Sequence, residues 1–546
     1  MNREGRALEA RTTTWITDET RSEFEKAGLW STDTWTTRIR KTSSEDPHAI
    51  AVVDEEGSLT RGEAYSAAER LASYMHGRGV RRGDVVTLVL PNWREFFVVH
   101  SAIGLIGGVV NPLLPKVGTP EIAHILRTAE SRFVFAAADL RENSPWHRVI
   151  AAAEGLDSIL GIVPVRSGTN SLADILEEPW EQRFPLDPVV VDARERDTVT
   201  FTSGTESLPK GVVHSHQTTM FVLRAYLDKV LGLNGSDSVF MPSPICHASG
   251  MAWGLRAAIH AGVPLILQDK WNPDTALRLI DEHRCTYTLA ATPFIIDMLG
   301  AKARGAGSGE TLRYVASGGA AIPRHLVAEV RENFSAELMA VFGASETYVT
   351  TATRPGAPDD ILATDGEPLP GVQVAIVDES GRELPRGEEG EIVTRGPQVF
   401  LGYLGDPDLT HRAFRGDWYR FGDLGRIDEN GMLHVTGRIK DIVIRGGENI
   451  SVREVEELLI NHPNVASAAV VGYPDPRLGE RCCAVVVPTA GTEVDLQELN
   501  SYLVGRGLAK YKLPERLEVF DEMPMTATGK IRKADLRRQI AGSDDE

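Results

Sequence analysis

From about residue 49 the chain alternates between short runs of β-branched and apolar residues and longer segments with helical spacing. Ile50–Asp54 and Asp84–Leu90 have the composition of strands, whereas Arg61–Gly77 and Glu95–Gly107 have the spacing of helices. Such alternation is typical of βαβ units, which form mainly parallel sheets covered by helices. Similar strand-like runs recur at 108–111, 131–136, 265–267 and 314–317. The pattern therefore predicts a large α/β domain.

The sequence pattern changes beyond about residue 365, where glycine-containing turns separate short strands predicted at Val372–Asp378, Gly390–Thr394 and Gly425–Asp428. We interpret residues 365–437 as a small β-rich subdomain. A single hydrophobic core rarely grows past roughly 250–300 residues, so a chain of 546 residues is expected to divide. We predict an N-terminal domain over residues 1–437 and a small mobile α+β domain over residues 438–546. The polar residues 1–45 are predicted to form a surface arm with short helices.

The charge balance argues against a nucleic-acid partner. The chain has 58 Lys and Arg against 77 Asp and Glu, a net charge of −19, whereas binding to a phosphate backbone needs clustered positive charge. The four cysteines, Cys246, Cys285, Cys482 and Cys483, form no CxxC pair, so a reducing cytoplasm is expected. The N-terminus lacks the apolar core of a signal peptide, and apolar stretches such as Phe96–Pro112 fall short of a membrane span. We expect no membrane insertion.

The first segment with chemical content is Val199–Gly211, a β-prone run followed by a loop rich in Thr, Ser and Gly. Hydroxyl groups and free backbone N–H groups are the donors that phosphate oxygens need. Gly204 lets the backbone approach closely, and Lys210 supplies a cation. The GxxxxGK[ST] spacing of a Walker loop is absent. Taken alone, the segment predicts either a phosphate-binding loop or an ordinary turn.

Two carboxylates occupy positions that suit a nucleotide. Glu346 follows a strand-like run and stands beside the hydroxyl of Ser345, which suits a Mg²⁺ that bridges phosphate oxygens. Asp423 lies between glycines in Trp418–Gly425, where an acidic residue can accept from both hydroxyls of a ribose. The alternatives are a helix-capping Glu and a turn Asp.

Two further segments carry lysines near glycine. Gly437–Ile450 contains Lys440, and Pro524–Lys533 contains Lys530, which is either a mobile cation or a solvated lysine of the C-terminal tail. In this order and spacing, the five segments resemble the motifs of the adenylate-forming superfamily, which includes acyl- and aryl-CoA synthetases, peptide-synthetase adenylation domains and beetle luciferases. The resemblance runs from about residue 45 to 535, and it is supported by Gly83-Asp84, Gly366–Gly371, Gly402-Tyr403, Gly472–Glu480 and Lys510–Pro514. Within the superfamily the chain is most similar to CoA ligases for alicyclic, short-chain or aromatic acids.

The resemblance implies two half-reactions at one site. A carboxylate first attacks the α-phosphate of Mg·ATP, which gives an acyl-adenylate and pyrophosphate. The C-terminal domain then rotates about a hinge near Lys440, and the thiol of CoA attacks the adenylate. The implied ligands are a small organic acid, ATP, Mg²⁺ and CoA.

The family pattern also implies roles for individual residues. Lys530 would neutralise charge as the carboxylate meets the α-phosphate, and Glu346 would hold Mg²⁺ together with Thr202. His247 would gate the acyl pocket, and Arg438 would lie beside the ribose. The remaining residues expected at the nucleotide and CoA sites are Ser203, Gly204, Thr205 and Lys210 at the β- and γ-phosphates, Ser345 at the phosphate oxygens, Gly318, Gly319, Ala320, Phe342 and Gly343 at the adenine, Asp423 at the ribose, and Gly446 and Gly447 at the pantetheine tunnel.

The sequence departs from the family pattern at five positions. Glu206 and Ser207 replace the Thr and Gly of the usual TSGTTGxPKG loop, and an acidic residue beside a triphosphate either points outward or helps to hold Mg²⁺. Ser345 stands where Thr is usual and keeps the hydroxyl. Phe421 replaces the Thr of the usual TGD. Arg445 precedes the tunnel glycines and either meets a phosphate of CoA or is solvated.

The acyl pocket is expected to draw on parts of residues 247–253, 288–294, 316–320 and 342–350. The bulk of Trp253, Phe294 and Tyr348 indicates a small or flat acid, unless these rings pack in the core.

Two other functions stay open at this point. In the first, the same adenylation serves an amine, a carrier protein or an inorganic acid such as nitrite, as in an ATP-dependent diazotase. In the second, the chain is an inactive nucleotide-binding homologue, against which the intact Lys530, Asp423 and Glu346 argue. The chain is expected to be either a monomer or a homodimer.

Overall fold

A computed structural model of the chain describes residues 14–138, 144–187, 189–202, 208–319, 322–323, 325–525 and 531–542. Its mixed α/β architecture, with large parallel-rich sheets, helices and smaller β-rich sheets, confirms the predicted fold class. No helix among these residues is both long and apolar enough to cross a membrane.

The largest sheet has nine strands, and its interior pairings are parallel while its edges are antiparallel. In spatial order the strands are Glu367–Pro368, Thr351–Ala352, Glu337–Phe342, Tyr314–Gly318, Tyr287–Leu289, Val239–Met241, Leu265–Leu267, Ile50–Asp54 and Gly57–Thr60. Most residues of the interior strands are buried, as expected for parallel strands covered on both faces.

The second large sheet has seven strands. In spatial order they are Gly402–Tyr403, Lys210–Ser215, Arg196–Thr202, Val109–Pro112, Val85–Val89, Phe133–Ala137 and Gly161–Val165. The last five run parallel, whereas the first two pair antiparallel with their neighbours. The antiparallel hairpin of Arg196–Thr202 and Lys210–Ser215 encloses the predicted phosphate loop.

The helices follow the predicted alternation with the strands. The described α-helices are Asp18–Lys26, Trp35–Glu45, Arg61–Gly77, Arg94–Ile106, Thr119–Thr128, Trp146–Ala153, Leu172–Glu177, Trp180–Arg183, His216–Leu223, Ala248–Gly250, Ala257–Ala261, Pro273–Glu282, Thr292–Ala303, His325–Phe334, Asp359–Leu362, Pro407–Arg412, Val452–Leu459, Leu496–Gly505 and Lys533–Gly542. Two π-helical stretches, Arg224–Leu231 and Met251–Arg256, and two 3₁₀ turns, Ile439–Asp441 and Lys510–Lys512, complete the set.

Local chemistry explains several helix boundaries. Thr60 caps Arg61–Gly77 in a reciprocal capping box with Glu63, which satisfies two backbone N–H groups that the helix leaves free. The helix Arg94–Ile106 ends at Gly107, whose φ of 70° is left-handed and favours glycine.

Two smaller sheets follow the large ones. The first contains Gln373–Val377, Gly390–Arg395, Trp418–Ile427 and Phe414–Arg415, with Leu433–Arg438 paired to Trp418–Ile427. The second contains Glu448–Ile450, Val443–Arg445, Gly479–Pro488 and Val465–Asp475, with Arg516–Val519 parallel to Gly479–Pro488. The second sheet buries its own apolar cluster, centred on residues such as Val455, Val470 and Leu499.

The short helices predicted near the N-terminus are present as Asp18–Lys26 and Trp35–Glu45, but the prediction that this segment is a surface arm is wrong for the described residues 14–45. Phe24, Trp30, Trp35 and Ile39 are buried in the main hydrophobic core. The Trp35 indole also donates a hydrogen bond of 3.2 Å to buried Asp197. These apolar side chains are far apart in a mostly polar sequence, so burial against the rest of the chain, rather than local composition, determines where the segment lies.

Candidate functional site

The candidate site lies where strands of the two large sheets end. Arg196–Thr202 ends at the predicted phosphate loop, Tyr314–Gly318 ends at Gly319, and Glu337–Phe342 leads directly to Glu346. The carboxyl ends of strands are the usual place for ligands in open α/β sheets. This position brings together residues that are more than a hundred positions apart in the sequence.

Lys210, Tyr403 and Glu346 form a contact chain at this edge. The Tyr403 hydroxyl donates to Glu346 Oε1 at 2.7 Å and accepts from Lys210 Nζ at 3.2 Å. Lys210 Nζ is itself 3.9 Å from Glu346 Oε1 and lies 4.5 Å from the centre of the Tyr403 ring. The Lys210 side chain is 35% exposed whereas that of Glu346 is 9% exposed, so the cation is accessible to solvent and the carboxylate is largely buried.

Burial and then the negative charge of Glu346 raise the pKa of Tyr403 above its ordinary value. The phenol therefore stays protonated and serves as a neutral donor to the carboxylate. The sequence interpretation assigned no role to Tyr403. Its pairing opposite Val212, in the strand that carries Lys210, explains how it comes to stand between the cation and the acid.

Thr202 is the last residue of its strand and pairs directly with Lys210 across the hairpin. Its Oγ1 is buried and has no hydrogen-bond partner among the described residues. A buried hydroxyl without a partner is costly, and it suits an anion or a metal-bound oxygen that binds there. The loop residues Ser203, Gly204, Thr205, Glu206 and Ser207 lie outside the described residues.

Ser345 is held through its backbone. His214 Nε2 lies 2.8 Å from the Ser345 carbonyl oxygen, and His214 Nδ1 lies 3.1 Å from Thr218 Oγ1. Burial lowers the pKa of His214 to about 4, so the ring is neutral at ordinary pH. A carbonyl oxygen only accepts, so Nε2 carries the proton. His214 is a second residue that the sequence interpretation did not name.

The turn after Phe342 is tight. A Cβ atom on Gly343 would lie 1.6 Å from the Tyr348 carbonyl oxygen, and one on Gly318 would lie 2.3 Å from the Val341 carbonyl oxygen. Both glycines are therefore required by close backbone contact, whatever their role toward a ligand. Gly319 adopts a left-handed φ of 81°, and Ala320 lies outside the described residues.

Aromatic rings and an ion pair border the same edge. Phe342 and Phe421 are in contact, with ring centroids 4.8 Å apart. Asp423 is opposite Arg438 in adjacent strands, and Arg438 Nε donates to Asp423 Oδ1 at 3.0 Å. Asp423 lies within the long strand Trp418–Ile427, so the alternative of a turn Asp is wrong.

His247 and the aromatic residues expected near the acyl pocket lie in different environments. His247 caps the short helix Ala248–Gly250, and its Nδ1 is 2.9 Å from Ser249 Oγ. Trp253 and Tyr348 are buried, whereas Phe294 is half-buried against Trp271, with centroids 4.7 Å apart. Trp253 contacts the ring of Tyr226 edge-on.

The residues expected at the hinge and the pantetheine tunnel belong to the C-terminal sheet and its approach. Lys440 is exposed in the 3₁₀ turn Ile439–Asp441. Gly446 and Gly447, with φ of 60° and 91°, form the turn of the hairpin between Val443–Arg445 and Glu448–Ile450. Lys530 lies outside the described residues.

Arg445, which precedes these glycines, forms an ion pair with a carboxylate. Its guanidinium donates to Glu515 at 2.7 Å and 3.1 Å. The hydrogen bond to Glu515 raises the pKa of Arg445, and a phosphate would have to compete with that carboxylate.

Comparison with known proteins agrees with this geometry. Residues 39–404 match the model of the AMP-binding enzyme family, and residues 454–530 match the AMP-binding enzyme C-terminal domain. A medium-chain fatty-acid–CoA ligase of Escherichia coli is 36% identical over 530 residues, which cover 96% of this chain and 93% of the relative.

Two solved structures extend the comparison. An anthranilate CoA ligase in complex with anthranoyl-AMP superposes with a TM-score of 0.87 at 23% identity, covering 95% of this chain and 99% of its own. An amide bond synthetase from Marinactinospora thermotolerans superposes with a TM-score of 0.82 at 28% identity, covering 93% of this chain and 100% of its own. The first likeness concerns the fold alone.

The chain belongs to the AMP-binding enzyme family, within the adenylate-forming superfamily. It is therefore an AMP-forming ligase by class. The proteins that this chain is similar to include both a CoA ligase and an amide bond synthetase.

Proposed function

We propose that this enzyme activates a small carboxylic acid with ATP and transfers the acyl group to CoA. The acid's carboxylate attacks the α-phosphate, the bond to the leaving β-phosphate breaks, and acyl-adenylate and pyrophosphate form. The CoA thiol then displaces AMP. The observation that carries the proposal is the contact chain of Lys210, Tyr403 and Glu346 at the strand ends, in a chain similar over most of its length to a fatty-acid–CoA ligase.

The donor set suits Mg·ATP. Glu346 offers one buried carboxylate and Thr202 one unpartnered hydroxyl, and Mg²⁺ in nucleotide sites is held by one or two protein oxygens plus phosphates. When bound, the metal would draw charge from the phosphate oxygens. Lys210, whose side chain is partly exposed, would approach the β- and γ-phosphates, and its hydrogen bond to Tyr403 limits the positions that it can take.

The ribose would lie beside Asp423. Its carboxylate is mostly buried and accepts from Arg438 Nε at 3.0 Å, and this ion pair would hold the carboxylate in place as it accepts from the ribose hydroxyls. Phe342 and Phe421 would border the adenine, and Gly318 and Gly319 would allow its close approach. Lys530, which lies outside the described residues, would supply the cation that neutralises the two anions as they meet.

We also propose that residues 438–546 form a domain that rotates between the half-reactions about a hinge near Lys440. Arg453 of the C-terminal part lies 3.8 Å from Asp365, whose carboxylate also accepts the Val435 N–H at 2.8 Å. On this proposal the ion pair joins the two domains and breaks on rotation. Within the C-terminal part, Asp441 pairs with Arg537 at 2.7 Å, so the hinge turn would move together with the terminal helix.

A panel assay with acids and acceptors tests the proposal. AMP release is measured with and without CoA for benzoate, cyclohexanecarboxylate, aminobenzoates, short and medium-chain fatty acids, and nitrite. CoA-dependent AMP release with an organic acid and formation of its thioester are expected. AMP release that ignores CoA but requires an amine or nitrite would refute CoA as the acceptor and favour the amide-forming or diazotase alternative. Mg·ATP binding without turnover on any acid would favour the inactive homologue.

A further inference from the structure

The side chains of Lys210 and His214, which belong to one strand, contact two neighbouring residues, Glu346 and Ser345. Both lie in Lys210–Ser215, four positions apart, and side chains at such positions point to the same face of a strand. At one end Lys210 reaches Glu346, and at the other His214 reaches the carbonyl oxygen of Ser345. The strand thus holds two consecutive residues of the turn after Phe342.

The His214 ring is itself fixed. Nε2 donates to Ser345, so Nδ1 of the neutral ring can only accept, and the Thr218 hydroxyl at 3.1 Å is placed to donate to it. The Ser215 carbonyl oxygen, 2.9 Å from the same hydroxyl, competes for that proton. The Tyr348 ring lies against the imidazole, with centroids 4.4 Å apart. These contacts leave the ring little freedom to rotate.

The far side of the turn is equally constrained. Tyr348 has a left-handed φ of 52°, which is rare for an aromatic residue. Gly343 lies against the Tyr348 carbonyl oxygen, and Thr347 Oγ1 accepts the Ala344 N–H at 3.1 Å. The His214 bond therefore anchors a tight turn at the residue next to Glu346, and a small shift there would move the carboxylate.

We propose that His214 is a positioning residue for the magnesium-binding carboxylate, because it fixes the Ser345 carbonyl and with it the placement of Glu346 relative to Lys210. The inference rests on the proposed function, since it takes Glu346 as a ligand of the metal in Mg·ATP. Functional oxygens must be held to within about 0.5 Å to act well. His214 should therefore affect Mg·ATP binding, and a variant that keeps a ring against Tyr348 should leave the acid pocket largely unaffected.

The test compares three variants. His214→Phe keeps a ring and removes both nitrogens, whereas His214→Gln restores an N–H near the position of Nε2. His260→Phe is the matched control. Like His214, His260 is buried and its Nε2 lies within hydrogen-bond distance of an oxygen, here Asp228 Oδ1 at 2.9 Å. Mg·ATP affinity is measured by titration calorimetry without acid or acceptor. The Mg²⁺ dependence and the KM for the acid are then measured by ATP–pyrophosphate exchange.

His214→Phe is expected to weaken Mg·ATP binding about tenfold, because it removes about one hydrogen bond from the turn that carries Glu346. The KM for the acid should stay within about twofold. His214→Gln should recover most of the affinity, and His260→Phe should bind Mg·ATP as the wild type does. Unchanged Mg·ATP affinity in His214→Phe, or equal weakening in His260→Phe, would overturn the proposal.

If His214→Phe does not fold, Thr218→Val provides a second test, since it removes the hydroxyl partner of Nδ1 together with the capping bond that this hydroxyl accepts from the Ser215 N–H at 3.1 Å. A several-fold loss of Mg·ATP affinity is expected for it, and wild-type affinity would overturn the proposal. The calorimetry separates this inference from the proposed function. A wild type that binds Mg·ATP but exchanges pyrophosphate with no acid refutes the function, while the variants still report on the positioning of Glu346.

Discussion

The buried ion pair between Arg256 and Asp197 should be one of the most sensitive points of the fold. The Arg256 side chain is 1% exposed and that of Asp197 is 3% exposed, and two parallel bonds of 2.7 Å and 2.9 Å join them. Asp197 is the second residue of the strand that leads to Thr202. Removing one member of such a pair leaves an uncompensated buried charge, which costs about 3–5 kcal/mol.

Asp197→Asn keeps the shape of the side chain and leaves Arg256 charged, since a guanidinium does not deprotonate. The remaining partners of Arg256 are neutral: the Thr198 hydroxyl at 2.8 Å and His100 Nε2 at 3.1 Å. Burial lowers the pKa of His100 to about 3, so that ring brings no compensating charge. We expect a loss of about 3–5 kcal/mol in the free energy of unfolding, constant from pH 8 to pH 5.

The destabilisation caused by Arg256→Met, unlike that caused by Asp197→Asn, should depend on pH. Burial alone would raise the pKa of Asp197, but the charge of the Arg256 guanidinium holds it below its ordinary value. Without Arg256 the folded-state pKa of Asp197 rises above the unfolded value, so the folded state binds a proton as pH falls. The loss in the free energy of unfolding caused by Arg256→Met should therefore be largest at pH 8 and smaller at pH 5. In the wild type, the stability that ionised Asp197 contributes is lost only as pH falls below the pKa that Asp197 has in the unfolded chain.

Urea unfolding followed by tryptophan fluorescence at pH 5, 6.5 and 8 measures these effects, because Trp35 contacts both members of the pair. Asp274→Asn is the control, since the Arg304–Asp274 pair is 58% and 52% exposed and should be worth about 1 kcal/mol or less. If Asp197→Asn lowers the free energy of unfolding by no more than Asp274→Asn does, the reasoning is refuted.

Three predictions concern the proposed half-reactions. Lys530→Ala should suppress adenylation while a supplied acyl-adenylate still passes to CoA, in single-turnover assays of each step; equal loss in both would contradict the assigned role. Lys440→Pro should spare adenylation and slow thioester formation, because proline fixes φ at the hinge; unchanged thioester turnover would remove Lys440 as the hinge. Glu206→Thr should tighten ATP binding several-fold by calorimetry if Glu206 faces the phosphates; weaker binding would instead indicate that Glu206 helps to hold Mg²⁺.

The regular elements could be predicted from the sequence because their signals are local. Ile50–Asp54, Arg61–Gly77 and Leu265–Leu267 have the predicted bounds in the structure. Each is determined by side-chain periodicity or by a nearby cap. The predicted short strand at Gly425–Asp428 is instead the end of the ten-residue strand Trp418–Ile427, since glycines that suggested turns are accommodated within the sheet.

The contacts that build the candidate site could not be predicted in this way. Tyr403 meets Lys210 across 193 positions of sequence, and His214 meets Ser345 across 131. Neither pair has a local pattern: strand pairing in the seven-stranded sheet brings Tyr403 to Lys210, and contact between that sheet and the end of a strand of the nine-stranded sheet brings Ser345 to His214. Tyr403 lies in a dipeptide that already supported the family resemblance, which is the one signal that pointed to it. The same limit explains the error at the N-terminus, where Trp35 is buried through its contact with Asp197.

Acid-dependent exchange of labelled pyrophosphate into ATP, in the absence of CoA or any other acceptor, tests the central claim most directly. The account predicts exchange that requires Mg²⁺ and one class of small carboxylic acid, and that is lost in Glu346→Gln. Exchange that proceeds without an acid, or thioester formation from an acid that supports no exchange, would contradict activation through an acyl-adenylate.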